Sequence, residues 1–554
     1  MSKRERISSV DNAWLRMDRP TNLMMIVGVM IFGGRIDFQR LRQKLDQRLL
    51  TYRRFRQKAV SDATGGYWED DDLFDIDFQV QRTALPAPSG KDTLQRYVAE
   101  LKSTPLDPSK PLWQFQLVED YDGGSALIVR IHHSIADGIA LIGVMLNMTD
   151  ESPEGSGHPL HASEPGEPAA EDAEEDGLWR QIAEPLSEAV VAGLKVSGTL
   201  WEKYRDVLQN PQKLVDYARV SGAVATELAK LAVMPDDSRT RFKGALGVAK
   251  RVAWSEPMPL DEIKAVGKAL DCSVNDLLLS SVAGALRAYL IRQGEEVAGV
   301  EVRAMVPVNL RPPEQEHKLG NRFGLVTLLL PLGIENPIAR LFEVRRRMEE
   351  LKGSYQAAVA LGLLGVVGLC PKAVQDQVLD LLAAKATAVM TNVPGPQKQL
   401  YLAGAPLSQM MFWVPQTGDI GIGVSILSYN GRVQMGLITD RNLVAEPQKI
   451  VDRFRPEFEK VLYALLLEPW DGRPRTPREI EADLLAAAGG KPAKKTVRRP
   501  AAAKPPASPA AKSAKPRKAA APAKGKPAAR KTRRTAAKAE AAEPAQPRVP
   551  KRFR

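Results

Sequence analysis

Leu127-Ile128-Val129-Arg130-Ile131-His132-His133-Ser134-Ile135-Ala136-Asp137-Gly138 is the stretch on which the reading of this chain turns. Its first five residues read as a strand, and the residues after Gly138 read as a helix beginning at Ile139. A strand that leaves a sheet into a turn delivers side chains to a crevice rim, where open sheets bind their ligands. Histidine is the usual proton acceptor near neutral pH, with an unperturbed pKa of about 6.5. Asp137 can lock the turn, and Gly138 permits close backbone approach. An arbitrary histidine pair can equally be structural; the whole string at a strand end favours chemistry.

Working outward, residues 1–149 alternate strand and helix signals. Leu23 to Phe32 is a Met/Ile/Val-rich run, and Phe38 to Tyr52 has apolar residues at helical spacing. Trp113, Phe115 and Leu117 alternate with polar residues, as in a half-buried strand with Trp113 facing inward. From Asp150 to Gly177 ten acids occur with no Lys or Arg, which marks a solvated linker. Leu186, Val190, Leu194, Trp201, Tyr204 and Leu208 then form a helical stripe. A final block mixes strands (302–308, 325–330, 420–427, 432–438) with helices over 276–292, 337–352 and 447–467. The predicted organisation is an N-terminal half over 1–149, an acidic disordered linker over 150–177 and a helical insert over 178–241. A C-terminal half over 242–470, a short helical extension over 471–490 and a disordered basic tail over 491–554 complete it.

The chain has 554 residues, 44% hydrophobic and 26% charged, so most of it can bury a core. Its net charge of +12 averages two different objects. From Lys491 to Arg554 there are 21 Lys and Arg against two acids, a net +19, which leaves the rest at −7. With 11 prolines and almost no large apolar side chains, the tail cannot offset its chain entropy by burial. Its charge should attract polyanions, whether anionic lipid or nucleic acid, and the sequence does not rank these partners. Two cysteines, Cys272 and Cys370, exclude a disulfide framework and fit a reducing cytoplasm. The opening residues lack the apolar core of a signal peptide. The run from Ala357 to Cys370 has 14 apolar residues, short of the roughly 20 that span a bilayer as a helix. It reads as a core helix or an interfacial one.

The string His132-His133-x-x-x-Asp137-Gly138 resembles the signature of the chloramphenicol-acetyltransferase-like acyltransferases. Pro111-Leu112-Trp113, Asn275-Asp276 and Thr391-Asn392-Val393-Pro394-Gly395-Pro396 narrow the resemblance to the bacterial wax ester synthase/diacylglycerol acyltransferase family. So do Pro307-Val308-Asn309-Leu310-Arg311, Gly320-Asn321-Arg322-Phe323-Gly324 and the opening Arg19-Pro20-Thr21-Asn22-Leu23-Met24. The resemblance spans about residues 8–470, in order. It implies an α/β fold of two such halves in one chain, packed as a pseudo-dimer with a channel between them.

It also implies transfer of an acyl group from acyl-CoA to the hydroxyl of diacylglycerol or a long-chain alcohol, with no cofactor and no metal. His133 is then the general base, His132 a positioning residue and Asp137 part of the site's architecture. Gly138, Asn275, Thr391 and Asn392 are candidates for touching substrate. Asn275 could face the channel, whereas Asp276 also fits a helix cap after Ser273. Thr391 stands where the family often has Ser, which keeps the hydroxyl. No Gly-x-Ser-x-Gly elbow suggests an acyl-enzyme. Cys272 and Cys370 read as buried, unreactive thiols; His158 and His161 sit in the acidic linker, where a weak metal contact is a minor alternative, and His317 lies in a polar loop without recognisable partners. Insoluble substrates imply a cytoplasmic enzyme working peripherally at the membrane or a lipid inclusion, docked through the helical insert or the 357–370 helix. Two rivals stay open: a carrier-protein-dependent enzyme of the same fold, and a protein that tethers lipid inclusions through its tail.

Overall fold

The structure is a computed structural model that describes residues 4–62, 65–155, 234–310, 319–352, 356–369, 372–416, 418–468 and 475–489. The acidic linker beyond Gly155, the helical insert as far as residue 233, His158, His161, His317, Cys370 and the basic tail lie outside the described residues. Residues Met1–Gly490 form one compact unit.

Two large sheets carry the architecture. The first runs Tyr401–Leu402, Ala405–Trp413, Met25–Phe32, Gly124–His132, Trp113–Tyr121, Val80–Thr83. Its central strand, Met25–Phe32, is buried at all eight positions. Such a strand is covered on both faces and therefore shows no polar alternation. Trp113–Tyr121 and Gly124–His132 form a hairpin through Asp122-Gly123, whose φ values of 51° and 74° are both positive, as a type I′ turn requires. The register sets Ile131 against Trp113 and His132 against Met25, so the histidine pair leaves the sheet at its rim. Trp113 is buried and its Nε1–H donates to the Phe55 carbonyl at 2.8 Å.

The second sheet runs Phe323–Leu330, Val302–Asn309, Ala388–Pro394, Ile422–Tyr429, Arg432–Asp440, Lys250–Trp254, with Met258–Pro259 also paired to Arg432–Asp440. Helix Val274–Arg292 packs on one face and shares a core with Ala304, Met390, Val424 and Met435. By length and hydropathy it could cross a membrane, but most of it is buried inside this half.

The sheets do not follow the division of the chain. Ala405–Trp413, a strand that the hydropathy pattern does not announce, leaves the C-terminal half and pairs with Met25–Phe32 in the first sheet. Its Met411 and Trp413 pack with Val393, Leu427 and Ile438 of the second sheet. Gly436 makes this approach possible, since a Cβ there would lie 3.0 Å from both Met411 Sδ and Trp413 Nε1.

Two helical expectations change, and a third is narrowed. The helix expected over 447–467 is two, Gln448–Val451 and Phe454–Leu466. Pro456 has no N–H for the carbonyl four residues back, so the helix restarts with proline in its first turn. The helix expected over 38–52 is α-helical only over Phe38–Lys44 and continues as a π-turn over Leu45–Leu49. The described part of helix Gln356–Leu369 is largely in the core. Ala357, Val359, Leu361 and Leu363 are buried, and it packs against helix Ser9–Arg16.

Candidate active site

The site is assembled by a turn and three segments that reach it from elsewhere in the chain. Where the strand Gly124–His132 ends, the His133 N–H donates to Met24 O at 2.7 Å, and the Ile135 N–H closes the turn onto His132 O at 3.0 Å. Asp137 then caps the helix Gly138–Met148: its Oδ1 accepts the Ala140 N–H at 2.9 Å. Its Oδ2 accepts the Arg322 N–H at 3.1 Å, from the other half of the molecule. Ala136 and Gly320 form an isolated parallel bridge beside these bonds. The Asp137 carboxylate therefore holds both the turn and the junction of the halves.

His133 is 4% exposed. Trp14 stacks on its ring, with centroids 4.2 Å apart and planes 19° from parallel, and Phe323 sits beside both rings, its centroid 5.6 Å from that of His133 and its plane tilted by 54°. Trp14 is delivered by helix Ser9–Arg16, which Ser8 caps by accepting the Asp11 N–H at 3.1 Å. Val10, Trp14 and Met17 recur at helical spacing on one face, and they cluster with Met24, Leu361 and Leu379. An imidazolium in such surroundings is poorly solvated. Burial pushes the His133 pKa down to about 4, against the opposing charge of Asp137 and with a smaller lowering from His132. The ring is therefore a neutral base at ordinary pH.

His132 is held differently. The Ser134 N–H donates to its Nδ1 at 3.2 Å, which ties the ring to its own turn. Nε2 lies 3.4 Å from Asp18 Oδ2. Burial would raise the Asp18 carboxyl, but bonding and charge from His132 and the Met24 N–H hold it below its usual range. Nδ1 thus anchors the ring within its turn, and Nε2 faces Asp18 at ion-pair distance. Beside them Lys102 is fully buried, donating to Leu23 O at 3.0 Å and Met25 O at 2.6 Å; burial and the charge of Lys250 push its pKa down to about 7.

Comparison with known proteins places this geometry. The model of the wax ester synthase/diacylglycerol acyltransferase catalytic domain matches residues 7–278, and that of the WS/DGAT C-terminal domain matches residues 319–461. The chain belongs to the wax ester synthase/diacylglycerol acyltransferase family. A Mycobacterium tuberculosis protein named "Probable diacyglycerol O-acyltransferase tgs1" is 27% identical over 454 residues, covering 79% of this chain and 92% of that one. The solved wax ester synthase/diacylglycerol acyltransferase of Marinobacter aquaeolei VT8 superposes with a TM-score of 0.57 at 21% identity, over 83% of this chain and 99% of the other. The first condensation domain of the calcium-dependent antibiotic synthetase gives 0.53 at 14% identity, over 84% and 97%. The two structural likenesses are of fold, and the fold is the expected α/β pair of chloramphenicol-acetyltransferase-like halves.

The remaining family positions fall in two places. Gly138 opens the helix beside His133, and a Cβ there would meet nothing within 4 Å. Asn275 is exposed at the start of helix Val274–Arg292 and accepts a hydrogen bond from Asn392 Nδ2. Among the described residues this pair has no hydrogen bond to the His133 group. Asp276 completes a capping box: its Oδ2 accepts the Ser273 N–H at 2.8 Å, and its own N–H donates to Ser273 Oγ at 3.2 Å. Thr391 is buried on the sheet face turned to the other half, and its Oγ1 has no hydrogen-bond partner among the described residues. Two crevices open along the seam of the halves, one of about 240 Å³ at Lys91, Tyr121, Trp254 and Gln409 and one of about 760 Å³ at Gln95, Arg96, Arg251 and Gln448. His133 lines neither.

Reading the sequence alone missed Asp11, Trp14, Asp18, Asn321 and Phe323 as members of this site. Gly320–Gly324 is visible as a family stretch, and nothing local in it says that it folds over a histidine nearly two hundred residues earlier.

Proposed function

We propose that the protein is an acyl-CoA-dependent O-acyltransferase that makes triacylglycerol, wax esters or both, with His133 as its general base. The observation that carries this reading is a neutral imidazole, buried under the Trp14 ring with Phe323 beside both at a sheet rim, in a chain of this family. A hydroxyl is a poor nucleophile until its proton is taken. His133 Nε2 accepts that proton as the hydroxyl oxygen attacks the thioester carbonyl. The tetrahedral adduct then collapses, the C–S bond breaks, and the proton passes from His133 to the departing CoA thiolate. An apolar site favours this chemistry, because the base stays neutral and long acyl and acceptor chains leave water on binding. Access requires the apolar side chains over His133 to give way as substrate enters. Diacylglycerol as acceptor is supported by the names of the mycobacterial relatives. Such acceptors place the enzyme at the cytoplasmic face of the membrane or on lipid inclusions, where the +19 tail would meet anionic surfaces.

The test is release of CoA thiol by the purified full-length protein with palmitoyl-CoA and either dioleoylglycerol or hexadecanol, beside His133→Ala. Acceptor-dependent release that vanishes in the variant is the expected result, and the ratio of acceptors names the preference. Folded protein that releases no thiol with either acceptor would overturn acyl-CoA dependence in favour of a carrier-bound donor or a tethering role. Activity that survives His133→Ala would overturn the assignment of the base.

A further inference from the structure

At its last rung the strand that carries His133 has lost half of its ladder. Met25 stands opposite His132, which sets Met24 opposite His133. In an antiparallel ladder such a pair exchanges two hydrogen bonds. Here the His133 N–H donates to Met24 O at 2.7 Å, but the Met24 N–H goes to Asp18 Oδ1 at 2.5 Å, and the His133 carbonyl accepts from Asn321 instead. The place of His133 at the rim therefore follows the Met24 carbonyl. Carbonyls alternate along extended backbone, so Leu23 O and Met25 O face the opposite edge. The strand Ala405–Trp413 covers that edge only from Val27 onward, opposite Trp413. Beyond it Lys102 takes the place of a strand partner: its Nζ donates to Leu23 O at 3.0 Å and to Met25 O at 2.6 Å. Lys102 lies in the last turn of helix Lys91–Ser103 and is 2% exposed.

We propose that Lys102 is a positioning residue: as an ammonium it clamps the carbonyls on either side of Met24 and so fixes the one carbonyl to which the His133 backbone is bonded. This rests on His133 being the base. An apolar side chain could fill the same space, but it would leave two buried carbonyls without a donor. Hydrogen bonds from a charged donor are about twice as strong as neutral ones, so the grip depends on the proton that Lys102 carries. The charged groups that face it come from three elements. Asp18 precedes the clamped segment and also faces His132; Arg130 lies on Gly124–His132; Lys250 begins Lys250–Trp254 and is paired with Asp440 at 2.8 Å. Burial and then the charge of Lys250 push the Lys102 pKa down to about 7, with Asp18 opposing and Arg130 adding to the fall. The amine is thus charged below that pH, and the grip slackens as the pH rises through it. His133 is neutral over this whole range, so its own ionisation produces no alkaline limb.

The test compares the full-length wild type with Lys102→Met, which keeps an unbranched side chain and loses the donors. Hydrogen–deuterium exchange read by mass spectrometry should be about threefold faster or more in a peptide spanning residues 132–136 of the variant. With palmitoyl-CoA and dioleoylglycerol, kcat should fall about tenfold with KM within about twofold, because the base is displaced while substrate contacts remain. Wild-type kcat should also decline above about pH 7, and Lys102→Met should lack that limb. Asp18→Asn keeps an oxygen for the Met24 N–H but removes the charge that favours the ammonium, so it should move the limb to lower pH. Folded Lys102→Met with wild-type exchange and kcat would overturn the proposal, and so would a wild-type kcat that stays flat to about pH 9. If Lys102→Met does not fold, Asp18→Asn decides, and a limb that does not move overturns the proposal. Wild-type protein that releases no thiol with either acceptor, while exchange is faster in Lys102→Met, would sink the acyltransferase reading and leave the clamp standing.

Discussion

Replacing Asp137 separates an architectural carboxylate from a catalytic one. In Asp137→Ala the helix Gly138–Met148 loses its cap, which costs about 1 kcal/mol. The Arg322 N–H loses its acceptor at the seam of the halves, which adds about 1–3 kcal/mol. The variant should therefore be about 2–4 kcal/mol less stable. Unfolding entropy is about 2.1 cal/mol/K per residue, and the compact unit is Met1–Gly490, so this is a fall in Tm of about 2–4 °C. Asp137→Asn keeps an oxygen for Ala140 but turns an NH₂ group toward the Arg322 N–H. Its loss should be smaller and confined to the seam. Differential scanning calorimetry of the three proteins, with thiol-release kinetics on the same samples, makes the comparison. Activity should fall only as far as the histidine turn loosens. A large loss of kcat at unchanged Tm in both variants would refute this reasoning and make Asp137 a direct participant.

Four further outcomes are expected. The acid limb of kcat/KM should lie near pH 4–5 rather than 6.5: burial depresses the His133 pKa to about 4, so the base stays neutral until the pH falls through that value, and a limb at 6.5 would contradict it. Trp14→Phe should leave kcat within about twofold, since the stack survives and the lost Nε1–H has no partner among the described residues, whereas Trp14→Ala should cost about 3–5 kcal/mol in stability; a tenfold loss in Trp14→Phe would mean that this N–H touches substrate. Gly284→Ala should cost about 3–5 kcal/mol, because a Cβ there would collide with the buried Arg340–Glu457 pair, whose Nη2 and Oε2 are 2.6 Å apart; a calorimetric Tm equal to wild type would show that the pair can move aside. Truncation after Gly490 should leave the Tm unchanged within about 1 °C, because Met1–Gly490 is a compact unit by itself; a larger drop would mean that the tail packs on it.

The local code of this chain is direct wherever a residue's task involves only its neighbours. The strand-to-turn transition at Ile131–His132, the Ser273/Asp276 cap and helix Pro337–Lys352 depend on contacts within a few residues, and the sequence determined them. The family motifs likewise marked the turn that carries the histidines. Chemistry at His133 is another matter. Its depressed basicity comes from Trp14 and Phe323 closing over it, and the hydrogen-bonding partner of its carbonyl is Asn321. Those residues lie on two segments, helix Ser9–Arg16 and the stretch 320–324, and that helix is held by packing against Gln356–Leu369. The exchange strand Ala405–Trp413 is of the same kind, since its partners Met25–Phe32 and the close approach at Gly436 lie far from it or are set by register. Sequence determined which groups could act. Burial and orientation depend on segments distant in the chain, and only tertiary packing, which brings those segments together, decided them.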